Sequence, residues 1–357
     1  MTGRKATISD VAKRARVSVG TVSHVLTGHV PVAGERRDRV MRAIEALGYV
    51  PNVHAQGLRQ MTSKVVGLCF PHESTSYLND LSEALERIAT QAGYGILHVF
   101  SRHDPAIEVR RVRELMRYQV DGLILFPSAA PEKALALALD QRLPTVLVDR
   151  PSEDPRFDLA MIDNRKVTRE AMRRLIALGH RRFAFVCRSR RLLVTQHRVD
   201  ALRAAQRAAP AAVAMVTFEI ANDEARFVRE LSACMTGPDP PTAIIASNSH
   251  QASLILTLLR DCKLNVPDEV SVLTFDDPEW AKLVEPSLSV IRQPAAALAQ
   301  ATWDLLMRRI AHPDRPPARV ALEPTIEFRA SVAPPPAAAN ATAGRSKSAL
   351  ARRASRA

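Results

Sequence analysis

The sequence predicts a small all-α unit followed by a larger α/β region built as two lobes. The helices are read from apolar residues spaced i, i+3, i+4 within the first fifty residues. The α/β region is read from short apolar runs alternating with amphipathic stretches, and the second lobe from a repeat of that series after residue 180. A chain of 357 residues also exceeds one ordinary core.

In the amino-terminal unit Thr7 can cap a helix whose third position is Asp10, a carboxylate that reaches back to the capping amide. Val11, Ala12 and Ala15 then share one face. After a turn Ser18 caps a second helix with Val22, Val25 and Leu26 as its buried stripe, leaving Ser18, Val19, Gly20, Ser23 and His24 outward. Such a pair, with the first turn of its second helix exposed, fits a DNA major groove; it also fits a helical hairpin that caps a core. Arg16 stands in the turn, where a left-handed backbone favours Gly or Asn. Residues 32–49 form a third helix, apolar at Val40, Ala43, Ile44 and Leu47 and stopped by Gly48. Residues 51–59 carry helical signals without a core of their own, so they form a helix only when covered, or a plain linker.

The formal net charge of +13 sits at the two ends. Residues 1–60 hold 10 Lys/Arg against 4 Asp/Glu, and residues 331–357 hold 5 against none. A basic small unit on a near-neutral large one suits a protein that neutralises phosphates with one part and does something else with the rest. Cys69, Cys187, Cys234 and Cys262 stand far apart, which suggests neither a disulfide framework nor a zinc site. No apolar run approaches the ~20 residues of a membrane helix and no secretory segment precedes the helices, so a cytoplasmic protein is expected.

From residue 65 the apolar runs 65–70, 95–100, 122–126 and 145–149 read as strands, with helices at 78–92 and 107–118 between the first three. The runs 182–187, 212–217, 243–247 and 270–275 repeat the pattern. Parallel sheets wrapped by helices follow, and two lobes imply a cleft. Ligands bind beyond the carboxyl ends of such strands. There the sequence places Tyr77, Asp149, Arg150, Arg198, Asn248, Asp276 and Asp277, a set suited to a hydroxyl-rich small molecule. Singly, Asp149 or Asp276 could instead cap a helix, and Tyr77 could be core.

Asp10-Val-Ala, Val17-Ser-x-x-Thr-Val-Ser-His-Val-Leu26, Ala43-Ile-x-x-Leu-Gly-Tyr-x-Pro-Asn52 and Ala55-x-x-Leu-Arg59 resemble the LacI/GalR family of transcription regulators. Val146-Leu-Val-Asp-Arg150, Ile162-Asp-Asn164, Leu178-Gly-His-Arg-Arg182, Val266-Pro-Asp-Glu-Val-Ser-Val272, Phe275-Asp-Asp277 and Pro286-Ser-Leu-Ser-Val-Ile-Arg-Gln-Pro294 extend the resemblance from Ala6 to Val332. It implies a helix-turn-helix DNA-binding domain at 1–50, a hinge at 51–63 and a two-lobed, periplasmic-binding-protein-like effector and dimerisation domain at 64–332. Residues 333–357, rich in Pro and Ala with scattered arginines, are expected to be a disordered basic tail. With no leucine heptad there, a homodimer is expected.

The resemblance also implies DNA contacts from Thr7, Ser18, Val19, Gly20, Thr21, Ser23, His24, Asn52, Ala55 and Leu58, with Leu58 wedging into the minor groove. His24 can make one hydrogen bond but no bidentate grip on guanine, and Gly20 reads nothing, so specificity leans on DNA bending. Gly57 departs from the family's small polar residue and weakens the hinge helix by roughly 1 kcal/mol. Implied effector contacts are Tyr77, Asp149, Arg150, Arg198, Asn248 and Asp276.

Ser249, Thr274 and Cys187-Arg188-Ser189 depart from the family pattern. Arg188, Arg190 and Arg191 crowd one loop, which reads as a solvated charge run or, where one of them reaches the cleft, as a sign of an anionic effector such as a sugar acid. Leu192 and Val194 replace the basic and hydroxyl residues of the purine-responsive branch, which argues against purines.

The expected protein is thus an effector-controlled DNA-binding regulator, a repressor, acting on a double-stranded pseudo-palindromic operator without cofactor, metal or membrane. A periplasmic solute-binding protein would lack the amino-terminal helices, and an architectural DNA binder would not need the polar cleft. No Gly-x-Gly-x-x-Gly, phosphate loop, His-Glu-x-x-His or Gly-x-Ser-x-Gly supports an enzyme.

Overall fold

The computed structural model describes residues 6–27, 30–49, 62–71, 75–221 and 223–336. Asn52, Ala55, Gly57 and Leu58, and the tail from 337 onward, lie outside the described residues. The chain divides into two compact units, Met1–Lys64 and Val65–Ala357.

Three helices form the first unit: α1 (Ile8–Ala15), α2 (Val19–Thr27) and α3 (Gly34–Leu47). The Thr7–Asp10 capping box closes in both directions. The Asp10 amide donates to the Thr7 hydroxyl at 3.3 Å, and the Thr7 amide to Asp10 Oδ2 at 2.9 Å. Arg16 adopts the left-handed turn at φ 55° and ψ 48°, and Gly48 ends α3 the same way. Val11, Ala12, Ala15, Val22, Val40 and Ala43 make the core, with Val25 and Leu26 partly buried against it. Val19 departs from expectation: it is half-buried and packs on that core instead of facing outward.

In the second unit the first lobe is a six-stranded sheet in the order β11-β5-β4-β3-β1-β2. Its strands are β1 (Val65–Phe70), β2 (Gly95–Phe100), β3 (Gly122–Leu125), β4 (Thr145–Val148), β5 (Asp158–Ile162) and β11 (Arg319–Leu322), all parallel. The second lobe repeats the topology as β12-β10-β9-β8-β6-β7, from β6 (Arg182–Cys187), β7 (Ala214–Glu219), β8 (Ala243–Ala246), β9 (Ser271–Phe275), β10 (Ser289–Arg292) and an antiparallel β12 (Thr325–Glu327). Alternation along each strand feeds a separate core on either face. Val66, Leu68 and Phe70 of β1 enter one cluster while Cys69 enters the other.

Helices α4 (Ser76–Gln91), α5 (Pro105–Arg117) and α6 (Glu132–Asp140) follow β1, β2 and β3, and α7 (Asn164–Ala177), α8 (Leu193–Arg207), α9 (Glu224–Met235) and α10 (Ser249–Asp261) serve the second lobe. The chain then returns with α11 (Ala295–Ala311), whose Leu298, Ala299, Trp303 and Leu306 pack in the first lobe's core beside α4. The lobes are therefore joined by three passages, after β5, β10 and β11.

Strands β5, β10, β11 and β12 escaped the sequence reading because each is short and carries charge or serine. Asp158 opens β5 fully buried, which is possible because Arg309 Nε and Arg315 Nη2 donate to it at 2.8 and 2.7 Å. β7 lies two residues later than expected. Ala333, which the expected tail includes, is tied to the second lobe. The Ala333 carbonyl accepts from Ser271 Oγ at 3.0 Å and lies 2.9 Å from His180 Nε2, and the Ala333 amide donates to Ser271 Oγ at 3.1 Å.

Candidate functional site

The amino-terminal unit presents a polar surface on α2. Ser18, Gly20 and His24 are exposed and Thr21 and Ser23 half-buried. Ser18 Oγ accepts from the Thr21 amide at 3.1 Å and meets Thr21 Oγ1 at 2.9 Å, so its first task is to cap the helix. The Thr7 hydroxyl is likewise engaged, donating to Asp10 Oδ2 at 2.7 Å. Around them Lys13, Arg14 and Arg16 are exposed at the end of α1, side chains that can reach phosphates and that the sequence reading did not single out. Two helix amino termini and an exposed, partly polar first turn make a surface that can lie in a groove.

In the larger unit both sheets follow the order that makes a switch point between the first and third strands of each lobe. The carboxyl ends of β1, β4, β6, β8 and β9 open on a small cavity of about 50 Å³. All six residues expected to contact an effector line it: Tyr77, Asp149, Arg150, Arg198, Asn248 and Asp276. Asp149 follows β4 and Asp276 follows β9, the same position in the two lobes. Both adopt a left-handed backbone, φ 65° and 73°, that turns their carboxylates out of the sheet. Such conformations in non-glycine residues concentrate where function requires them.

Each carboxylate is held. The Tyr77 hydroxyl donates to Asp149 Oδ1 at 2.8 Å, and Arg150 Nε lies 3.7 Å from Asp149 Oδ2. Gln293 Nε2 donates to Asp276 Oδ1 at 2.7 Å. Burial pushes the Asp276 carboxyl up to about 7, despite the Gln293 hydrogen bond and the attraction of Arg198. The same burial, with the Asp149 charge beside it, raises the Tyr77 hydroxyl well above its usual range. Arg198 lies 3.4 Å above the Phe275 ring and donates to Asn164 Oδ1 and to the Ser247 carbonyl, each at 2.7 Å. Burial pulls its guanidinium down to about 10, still charged at neutral pH.

The dull alternatives hold only in part. Asn248 does cap α10, accepting from the Gln251 amide at 3.0 Å, and Tyr77 is packed in the first lobe's core. Neither Asp149 nor Asp276 caps a helix that follows it, although Asp276 Oδ2 also accepts, at 3.5 Å, from the Ser249 amide at the start of α10. Of the crowded arginines Arg188 lines the cavity, whereas Arg190 turns to the Thr217 carbonyl and Glu219. Leu192, Val194 and Thr195 supply the wall beside Arg188, and Thr75, Leu78, Ser247 and Gln293 complete the lining. Gln293 was missed because it becomes a cleft residue only once β10 lies beside β9, a strand the pattern did not reveal. Among the described residues no cluster of side chains could hold a metal ion, and no helix is long and apolar enough to cross a membrane.

Residues 7–52 match the family of bacterial regulatory proteins of the lacI type, and residues 172–332 match the periplasmic binding protein-like domain. Over 332 residues the chain is 31% identical to the HTH-type transcriptional regulator GalS of Salmonella typhimurium, covering 92% of this chain and 96% of that protein. It is 28% identical over 334 residues to the HTH-type transcriptional regulator KdgR of Bacillus subtilis, covering 91% and 97%. Among solved structures, a Lac repressor dimer bound to operator and an anti-inducer superimposes with a TM-score of 0.81 over 92% of this chain and 100% of that one, at 22% identity, a likeness of fold. The CelR–cellobiose complex follows with a TM-score of 0.66, 26% identity and coverage of 92% and 100%. These relatives are transcription regulators and not enzymes. The helical amino-terminal unit, the doubled α/β lobes and these matches together place the chain in the LacI family of DNA-binding transcription regulators, with a periplasmic-binding-protein-like effector domain.

Proposed function

We propose that the protein is a repressor whose hold on operator DNA is set by a small hydroxyl-rich effector, a sugar or sugar acid, bound between the two lobes. The observation that carries this reading is the cavity itself. Asp149 and Asp276 stand at equivalent strand ends and face it from the two lobes, with Arg198 and Asn248 between the second lobe's strands and helices. Carboxylates that accept from vicinal hydroxyls, a guanidinium that donates, and apolar Leu78, Leu192 and Val194 for a ring's C–H face suit such a molecule. Cellobiose in the CelR complex is a sugar bound by a relative.

The amino-terminal units of a homodimer read the halves of a pseudo-palindrome, with Thr7, Ser18, Thr21, Ser23 and His24 toward the DNA, Val19 contributing only its exposed edge, and Leu58 with Asn52 and Ala55 acting at the minor groove. The domains divide near residues 50 and 64. The effector acts by its differential affinity for two lobe arrangements, which changes how the hinges meet.

The test is a thermal-shift screen against neutral sugars, sugar acids, sugar phosphates and purines, followed by operator binding with and without the hit. A hit raises the melting temperature by mass action, is lost in Asp276→Ala, and changes operator affinity. A hit that survives Asp276→Ala and Arg198→Lys, or leaves operator affinity unchanged, refutes the reading.

A further inference from the structure

We infer that Asn164, which is not part of the cavity lining, is a positioning residue for effector recognition: its side-chain oxygen sets the Arg198 guanidinium at the cavity wall and ties it to the first passage between the lobes. The inference rests on the cleft being the effector site and names the residue that places its arginine.

An arginine side chain has several rotatable bonds, so a donor aimed at a ligand has to be held. Arg198 is held from places far apart in the sequence. Its Nε donates to Asn164 Oδ1 and its Nη1 to the Ser247 carbonyl just after β8, each at 2.7 Å, and the Phe275 ring at the end of β9 lies 3.4 Å from its Cζ. With Nε and Nη1 committed, Nη2 is the edge left for a ligand in the cavity that Arg198 lines. The Ser247 contact is made by the main chain and Phe275 offers no acceptor. Asn164 is therefore the side chain whose identity decides where the guanidinium sits.

Asn164 is 1% exposed, and its amide can face only one way. Nδ2 donates to the Ile162 carbonyl at 3.3 Å, which turns Oδ1 to Arg198; the flipped amide would set two donors against each other. Ile162 ends β5 in the first lobe and Asn164 opens α7 in the second. Between them the Asp163 amide donates to the Leu322 carbonyl at the end of β11 at 2.9 Å, and Asp163 Oδ1 caps α7 by accepting from the Lys166 amide at 2.9 Å. Asn164 is thus bonded to the first lobe's edge on one side and to the effector arginine on the other. A rotation of the lobes that turns this passage moves Oδ1 and the arginine with it, so the same ligand meets Arg198 differently in two lobe arrangements.

The alternative is that Asn164 only fastens the passage, through Ile162. Asn164→Asp separates the two, because it keeps an acceptor for Arg198 and replaces the donor to Ile162 by an oxygen. The experiment follows the Arg198 Nε–H signal of the full-length, ligand-free protein by nuclear magnetic resonance with isotope-labelled arginine, the signal being assigned by its loss in Arg198→Lys. In the parent, and in Arg165→Gln, which breaks the adjacent exposed pair with Asp200, this proton exchanges slowly with water. In Asn164→Ala it exchanges at least about ten-fold faster, and in Asn164→Asp it is slow again. Binding of glucose, galactose, gluconate, glucuronate, glucose 6-phosphate and adenine is measured in parallel by calorimetry. A compound that binds the parent loses about ten-fold or more in affinity in Asn164→Ala and regains most of it in Asn164→Asp. If Asn164→Ala does not fold, Asn164→Ser, whose hydroxyl is too short to reach Arg198, takes its place. An Arg198 signal unchanged by Asn164→Ala, or an Asp variant that behaves as the Ala variant does in both measurements, overturns the positioning role and leaves the effector reading standing. Nothing binding the parent overturns the effector reading, and with it recognition as the purpose, while the exchange measurement still decides whether Asn164 places Arg198.

Discussion

At Arg16 an arginine occupies a left-handed turn, φ 55° and ψ 48°, where its Cβ crowds the backbone and glycine would not. Arg16→Gly should raise the melting temperature of the amino-terminal transition by the equivalent of up to about 1 kcal/mol; a lower value means that the exposed guanidinium contributes more than the strain removes. Glu108 poses a different residue-scale question. It is fully buried on α5, accepting from the Ser128 amide at 2.7 Å and from Ser128 Oγ at 2.9 Å, and burial raises its carboxyl to about 7 against these hydrogen bonds. The unfolded chain releases this proton near 4.5 and the folded protein only near 7, so the group favours folding at low pH and that contribution is lost as pH rises through this window. Glu108→Gln should therefore gain about 2 kcal/mol relative to the parent between pH 5 and pH 8 in urea titrations. A difference independent of pH would mean that Glu108 is ionised throughout. His180 carries the opposite sign, its imidazole held below its usual value by burial, which is why the comparison is made between variants and not on the parent alone.

Among the elements, β5 depends on charges that arrive from far along the chain. Asp158 accepts from Arg309 of α11, from Arg315 and, at 2.7 Å, from the Ala318 amide that leads into β11. Asp158→Asn would leave two guanidinium groups facing a neutral amide in a site with almost no water. It should destabilise the larger unit by about 3 kcal/mol or more, measured by chemical denaturation. A loss under ~1 kcal/mol would show that the pair is screened like a surface one. The helices at the cleft are less exacting. Their caps are local, as Thr75 accepting from the Leu78 amide at 3.3 Å and Asn248 from Gln251 show, so the cleft's walls are placed by short-range signals and its floor by long-range ones.

For the whole molecule the division into a basic helical unit and a two-lobed unit predicts two calorimetric transitions. Ligand that binds the cleft of the native state should raise the transition of the larger unit and, without DNA, leave the smaller one in place. Equal shifts of both would mean that the units unfold as one. The smaller unit's excess of Lys and Arg places the salt dependence of DNA binding there, as counterion release requires.

The amino-terminal unit was legible in the sequence almost to the residue, because its capping box, its apolar spacing and Gly48 act over three or four residues and need no distant partner. Val19 was misjudged for the same reason: whether a valine at a helix start faces water depends on α1 and α3, not on its neighbours in sequence. In the larger unit the sequence by itself determined the central strands and the polar residues just beyond them, Asp149, Arg150, Asn248 and Asp276 at strand ends and Tyr77 and Arg198 in the helices that follow, since long apolar runs and strand termini carry local signals. Only the tertiary structure decided that Asp158 could be buried, that Gln293 would reach Asp276, and that Arg188 would line the cleft while Arg190 turned aside. Each of those outcomes depends on elements far apart in the chain meeting in space, where burial and charge act between partners that no local pattern pairs.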